Sequence, residues 1–298
     1  MRAHAEDTMY VEGIDFKVDY ENGRIYRTLE SRIPDWSMHP LCGIREFDHT
    51  QYSDYSNLSY TMYVKYEYES ESFKKVASPN RLQYAELELF LTKLRYGKEV
   101  AIMIFGDSIS TGADTSVENK SYFERLSSDL RSRYPGCRIH IDNRSIGGET
   151  SEDGIARIHN ELENIQPDLA IVGFGMNDQN KYAHGNGVPL ARYESNMIAI
   201  VNAMREKHAA ALILLTPCEP NPEWQHTSGD LARYAETLRR IGKERNVPIA
   251  DVHRLWMSEL EAGKSPESLL LNNINHPNDY GHWIYYEALR DLFFPCSE

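Results

Sequence analysis

The stretch "VAIMIFGDSISTG", residues 100–112, decides how the rest of the chain is read. It opens on an apolar run, residues 100–105, with no polar alternation. Such a run predicts a strand covered on both faces, the habit of a parallel sheet. Gly106-Asp107-Ser108 then ends the strand in a sharp turn. A serine at that point is a helix cap, part of a phosphate cradle or a nucleophile.

The same rhythm continues downstream. Apolar runs "RIHIDN" (138–143), "LAIVGF" (169–174), "ALILLT" (211–216) and "VPIADV" (247–252) follow. Helix-period segments fall near 119–133, 150–165, 190–208, 228–245 and 278–293. A further amphipathic helix, "RLQYAELELFLTKLRYGKE", precedes the first strand and stops near Gly97. Strands alternating with helices predict a doubly covered parallel sheet over residues 81–298, with right-handed crossovers. In such sheets ligands bind beyond the carboxyl ends of the strands.

Residues 1–80 read differently, as a smaller β-rich domain or extension. "GIDFKVDY" and "IYRTL" flank Asn22-Gly23, a hairpin signal. "LSYTMYVKYEYE", residues 58–69, alternates again and is rich in tyrosine. A unit of this size is marginal alone and is expected to lean on its neighbour. Its tyrosine-rich edge could pair with a second copy of the chain, or its rings could stack on sugar.

Bulk composition narrows the partners. The 298 residues carry a formal net charge of -13, with 41% hydrophobic residues. An acidic surface repels nucleic-acid phosphates and anionic lipid, so neither is an expected partner. There is no apolar run of membrane-spanning length, and "MRAHAEDTMYVEG" lacks the apolar core of a signal peptide. Cys42, Cys137, Cys218 and Cys296 are scattered and read as free thiols in a cytoplasmic setting. His184, His226 and His253 read as lying in or beside strand-end loops. No usual zinc spacing, dinucleotide fingerprint or Walker lysine is present, so neither metal nor cofactor is expected.

Four polar clusters end the strands or introduce the last helix: "GDSIS" (106–110), "NRSIGGETS" (143–151), "GMND" (175–178) and "HPN" (276–278). Ester hydrolysis needs a hydroxyl nucleophile, a base and donors aimed at an oxyanion. In order and spacing the clusters resemble the four blocks of SGNH (GDSL-type) hydrolases, over about residues 98–294. The resemblance implies a three-layer α/β/α, flavodoxin-like fold with a five-stranded parallel sheet. It implies Ser108 as nucleophile and His276 as general base. The Ser108 amide, Gly148 and Asn177 would form the oxyanion hole. Asp107 and Asp178 read as structural groups bonding loop amides beside the site.

One position departs from the pattern. The family places an aspartate three residues before the histidine, where this chain has Asn273. Either Asn273 or a backbone carbonyl near it is expected to orient His276 in a Ser-His dyad, or turnover is weak. Asp279 reads as first-turn acid of the last helix. The expected activity is hydrolysis of a short-chain, acetyl-type ester on a carbohydrate or other small molecule. The alternatives are a lipase- or lysophospholipase-like activity, which the polar loop 179–192 disfavours, and a carbohydrate-binding protein that has lost turnover.

Overall fold

The computed structural model describes residues 2–3, 8–67, 85–207 and 211–294. The N-terminal segment holds two small antiparallel pairs. Strand β1 (Arg2–Ala3) pairs with β4 (Met62–Tyr63), and β2 (Phe16–Asp19) pairs with β3 (Arg24–Arg27) around the Asn22-Gly23 turn. The long strand expected over 58–69 is mostly absent. Leu58–Tyr60 form a 3-10 turn, among the described residues Met62–Tyr63 alone pair, and residues 68–69 lie outside the described residues. Among the described residues, Arg2 and Ala3 are the partner strand that lies opposite it.

The α/β part begins with helix α1 (Ala85–Arg95). Strand β5 (Val100–Gly106) is followed by the one-turn helix α2 (Ser108–Thr111) and by α3 (Tyr122–Arg133). Then come β6 (Ile139–Asn143), α4 (Ser151–Asn164) and β7 (Leu169–Gly173). A short hairpin, β8 (Lys181–Tyr182) with β9 (Gly185–Asn186), leads to α5 (Leu190–Lys207) and β10 (Ala211–Leu215). The chain ends with α6 (Leu231–Arg245), β11 (Ile249–Ala250), α7 (Val252–Glu261), α8 (Pro266–Leu269) and α9 (Asp279–Phe293).

The five main strands are parallel in the order β6-β5-β7-β10-β11. This is the flavodoxin-like order, with a switch point beside β5 where neighbouring crossovers leave in opposite directions. Side chains split by parity. Ile102, Ile104, Ile171 and Ile213 meet α1, α3 and α9 on one face. Met103, Phe105, Val172 and Leu214 meet α4, α5 and α6 on the other. Both faces are dry, which explains why these strands read as unbroken apolar runs. Expected strand 247–252 ends early, because Asp251 caps α7 through a hydrogen bond from Arg254 N.

The N-terminal segment does lean on this frame. Leu41 and Phe47 bury themselves with Trp224 and Ile274 in a small separate core. Phe47 also pairs by backbone with Glu223 and Gln225.

Candidate active site

Strand β5 can turn at Gly106 only because that residue has no side chain. A Cβ there would stand 2.2 Å from the Gly173 carbonyl oxygen. Asp107 then caps α2, its Oδ1 accepting from Ile109 N at 3.0 Å. The cap places Ser108 as first residue of the helix, at the carboxyl edge of the sheet.

His276 comes from the opposite end of the sequence. Asn272 builds its loop: one oxygen, Oδ1, accepts from Ile274 N, Asn275 N and His276 N, each at 2.9 Å. Asn278 caps α9 directly afterwards, accepting from Tyr280 N and Gly281 N. The ring is thereby held so that His276 Nε2 lies 2.8 Å from Ser108 Oγ. On its other side, Nδ1 lies 2.7 Å from Asp114 Oδ2. A carboxylate only accepts, so Nδ1 carries the proton and the Nε2 lone pair faces the serine hydroxyl.

Asn273 does not supply that contact, a correction to the sequence expectation. It is 1% exposed and sits in the left-handed region at φ 60°. That backbone turns its side chain into the protein. Its Oδ1 accepts from Asn221 Nδ2 at 3.0 Å and from Asn57 Nδ2 at 3.4 Å. Its backbone carbonyl also accepts from Asn221 Nδ2, at 3.1 Å. Asp114 was missed because it follows the nucleophile block rather than preceding the histidine. The usable signal was the gap at 273, which calls for a carboxylate from another loop at the same sheet edge.

The sequence pattern of the GDSL-like lipase/acylhydrolase family matches residues 104–284, a span that contains both partners of this contact. The chain belongs to that family. It is a carboxylic ester hydrolase of the SGNH type, with the α/β/α fold of that family. An acetylxylan esterase of Geobacillus stearothermophilus is 24% identical over 217 residues, covering 67% of this chain and 97% of its own length. The crystal structure of Axe2, an acetylxylan esterase from the same organism, superposes with a TM-score of 0.56 at 22% identity, over 65% of this chain and 94% of that one. An uncharacterized lipoprotein of Bacillus subtilis, YqeF, is 24% identical over 217 residues, 64% of this chain and 88% of its own length.

In this hydrolase the remaining blocks converge on the same edge. After β6 the chain runs on beside β5, with Ile146 N donating to Gly106 O. Asn143 holds the start of that loop, donating to Ser110 O and accepting from Ser145 N. Gly147 lies close enough that a Cβ would be 3.7 Å from Ser108 Cβ. Gly148 adopts φ 83°, a left-handed turn that favours glycine. Asn177 ties this loop to the end of β7, Nδ2 donating to Glu149 O at 2.9 Å. An amide carries two N–H bonds, so one donor remains beyond that tie.

Two buried carboxylates lie behind the site. Burial is the chief cause that raises Asp107 to about 7, with the neighbouring Asp178 charge adding to it and the Ile109 hydrogen bond opposing. Burial likewise raises Asp178 to about 6, against the hydrogen bond from Ser151 at the start of α4. His282, stacked on Tyr122, is pushed down to about 4 by burial and stays neutral at neutral pH.

Among the described residues, Asp48, His49 and His226 are close enough together to approach a cation. However, His49 Nδ1 accepts the Trp224 indole N–H at 3.0 Å. Indole nitrogen only donates, so the neutral His49 ring carries its proton on Nε2, where a metal would need a lone pair. His253 lies beside the end of β11, in the first turn of α7, with Nε2 2.7 Å from Glu219 Oε1. Cys42, Cys137 and Cys218 are free thiols, and Cys296 lies outside the described residues.

Proposed function

We propose that this enzyme is a serine esterase that removes short acyl groups, acetyl above all, from a carbohydrate. The observation that carries the reading is the 2.8 Å approach of His276 Nε2 to Ser108 Oγ at the sheet's carboxyl edge. In the first half-reaction Nε2 takes the Ser108 proton as Oγ bonds to the acyl carbon. The carbonyl oxygen becomes an oxyanion, met by the Ser108 and Gly148 backbone N–H groups and the second N–H of Asn177. The tetrahedral intermediate collapses, the acyl–oxygen bond to the sugar breaks, and the imidazolium returns its proton to the leaving alcohol. Water then repeats the sequence on the acyl-enzyme and releases the acid.

The acetyl-sugar preference is supported by the acetylxylan esterase relative, aligned across nearly its whole length. The loop after Asn177 also fits it. This loop is polar, and its exposed Tyr182 stacks on His184 at a ring-centroid distance of 5.6 Å. A flat ring surface of this kind suits a sugar better than an acyl chain.

The test compares wild type with Ser108→Ala on p-nitrophenyl acetate, p-nitrophenyl octanoate and acetylated xylo-oligosaccharides. The expected result is acetate release by wild type alone, with acetate esters preferred. Equal rates from both proteins would end the proposal. A preference for octanoate would instead favour a lipase-like activity.

A further inference from the structure

We propose that Asp114, in the loop behind the nucleophile, is the positioning carboxylate of this active site. It takes the place of an acid three residues before the histidine. The inference rests on reading Ser108 as nucleophile and His276 as base.

The first support is the 2.7 Å contact between Asp114 Oδ2 and His276 Nδ1, on the ring edge opposite Ser108. As Ser108 passes its proton to Nε2, the ring becomes a cation. Asp114 accepts the Nδ1–H throughout and stays ionised, so no second proton moves.

The second support is that the loop is built to hold its place. Gly112 ends α2 in the left-handed region at φ 86°, and Asp114 is left-handed itself at φ 63°. Aspartate tolerates that conformation better than most residues. Thr115 Oγ donates to Gly112 O across the turn. Ser116 then donates twice to Asp279, from N to Oδ1 at 2.8 Å and from Oγ to Oδ2 at 2.6 Å. Ala113 O lies 3.3 Å from His282 Nε2, and neutral His282 donates there. Asp279 and His282 both belong to α9, which starts three residues after His276. One helix therefore anchors both the base and the loop bearing Asp114.

The third support lies at position 273, already committed elsewhere. Asn273 holds Asn221 and Asn57, and its buried left-handed backbone gives it no route to the ring. A carboxylate there would be buried against two amides rather than beside the imidazole.

The Asp114 side chain is 36% exposed and that of His276 21%, so solvent screens the pair. The loss on its removal should fall below the ~10⁴-fold seen when a buried triad aspartate becomes asparagine. For Asp114→Ala we expect kcat on p-nitrophenyl acetate to fall by ~10²–10³-fold, with KM within about two-fold of wild type. The urea midpoint should fall only slightly, by the backbone cost of alanine at φ 63°, with the variant still fully folded under assay conditions, which separates positioning from folding. A second readout needs no turnover. In Ser108→Ala protein the hydrogen-bonded His276 Nδ1–H should give a strongly downfield proton resonance, assigned by its loss in His276→Gln. It should vanish in Ser108→Ala/Asp114→Ala and persist in Ser108→Ala/Asn273→Ser. A kcat within about three-fold of wild type for Asp114→Ala, or a resonance that survives loss of Asp114, overturns the inference. Wild-type turnover that persists in Ser108→Ala would instead sink the serine-esterase reading, leaving the resonance to judge the contact.

Discussion

Asp178 offers a measurement in which the buried environment of the site can be weighed directly. Its carboxyl is fully buried, and accepts from Ser151 N at 3.0 Å. Burial raises it from 3.8 to about 6. At 1.36 kcal/mol per pH unit, that rise corresponds to about 3 kcal/mol between the two protonation states. The sign follows from linkage. The folded state holds the proton more tightly than the unfolded chain, so this stabilisation is complete below about pH 4 and lost as pH rises through about 6. Asp178→Asn keeps an oxygen for Ser151 N and removes the titration. Whatever constant offset the new N–H₂ brings applies at every pH. Urea unfolding of both proteins between pH 4 and 7.5 should therefore show the variant gaining about 2.5 kcal/mol on wild type across that window. All groups common to both proteins cancel in the difference, except Asp107, which titrates lower once its charged neighbour is gone. A flat difference across the window would refute the claim that this carboxyl is buried at the expense of its charge.

Other perturbations follow from the same contacts. Asn177→Ala should lower kcat on p-nitrophenyl acetate by ~10²–10³-fold with KM little changed, as expected if it is one of three donors to the oxyanion. Asn273→Ala removes the Oδ1 that Asn221 and Asn57 share, while both amides keep backbone acceptors, and leaves a β-carbon residue at φ 60°, costing about 1–2 kcal/mol in urea unfolding. Asn273→Gly should recover about 1 kcal/mol of that by relieving the backbone. Gly106→Ala forces a methyl against the Gly173 carbonyl and should cost at least ~3 kcal/mol, read as lost soluble yield or a lowered Tm.

The parallel sheet was legible because both of its faces are dry, so strands such as Val100–Gly106 and Ala211–Leu215 carry no polar alternation to confuse them. The serine and histidine were legible because each sits beside a capping residue with a local signature, Asp107 and Asn278. Asp114 left no such mark. It works through the path of a loop, and that path is fixed by Asp279, far away in sequence. The N-terminal segment was harder for a related reason. Asn57 is buried where it donates to Leu270 O at 2.7 Å, a contact that no periodicity announces. Among the described residues 8–67, much of what looked like sheet is instead a strap of turns.

The Ser108–His276 contact joins groups 168 residues apart in the chain. No early, local stage of folding can assemble it, since the strands and helices between them must first find their order. Hydrolysis is thus a reporter of complete folding: in refolding experiments activity should return with the slowest structural phase, and a nick that releases α9 should silence the enzyme outright.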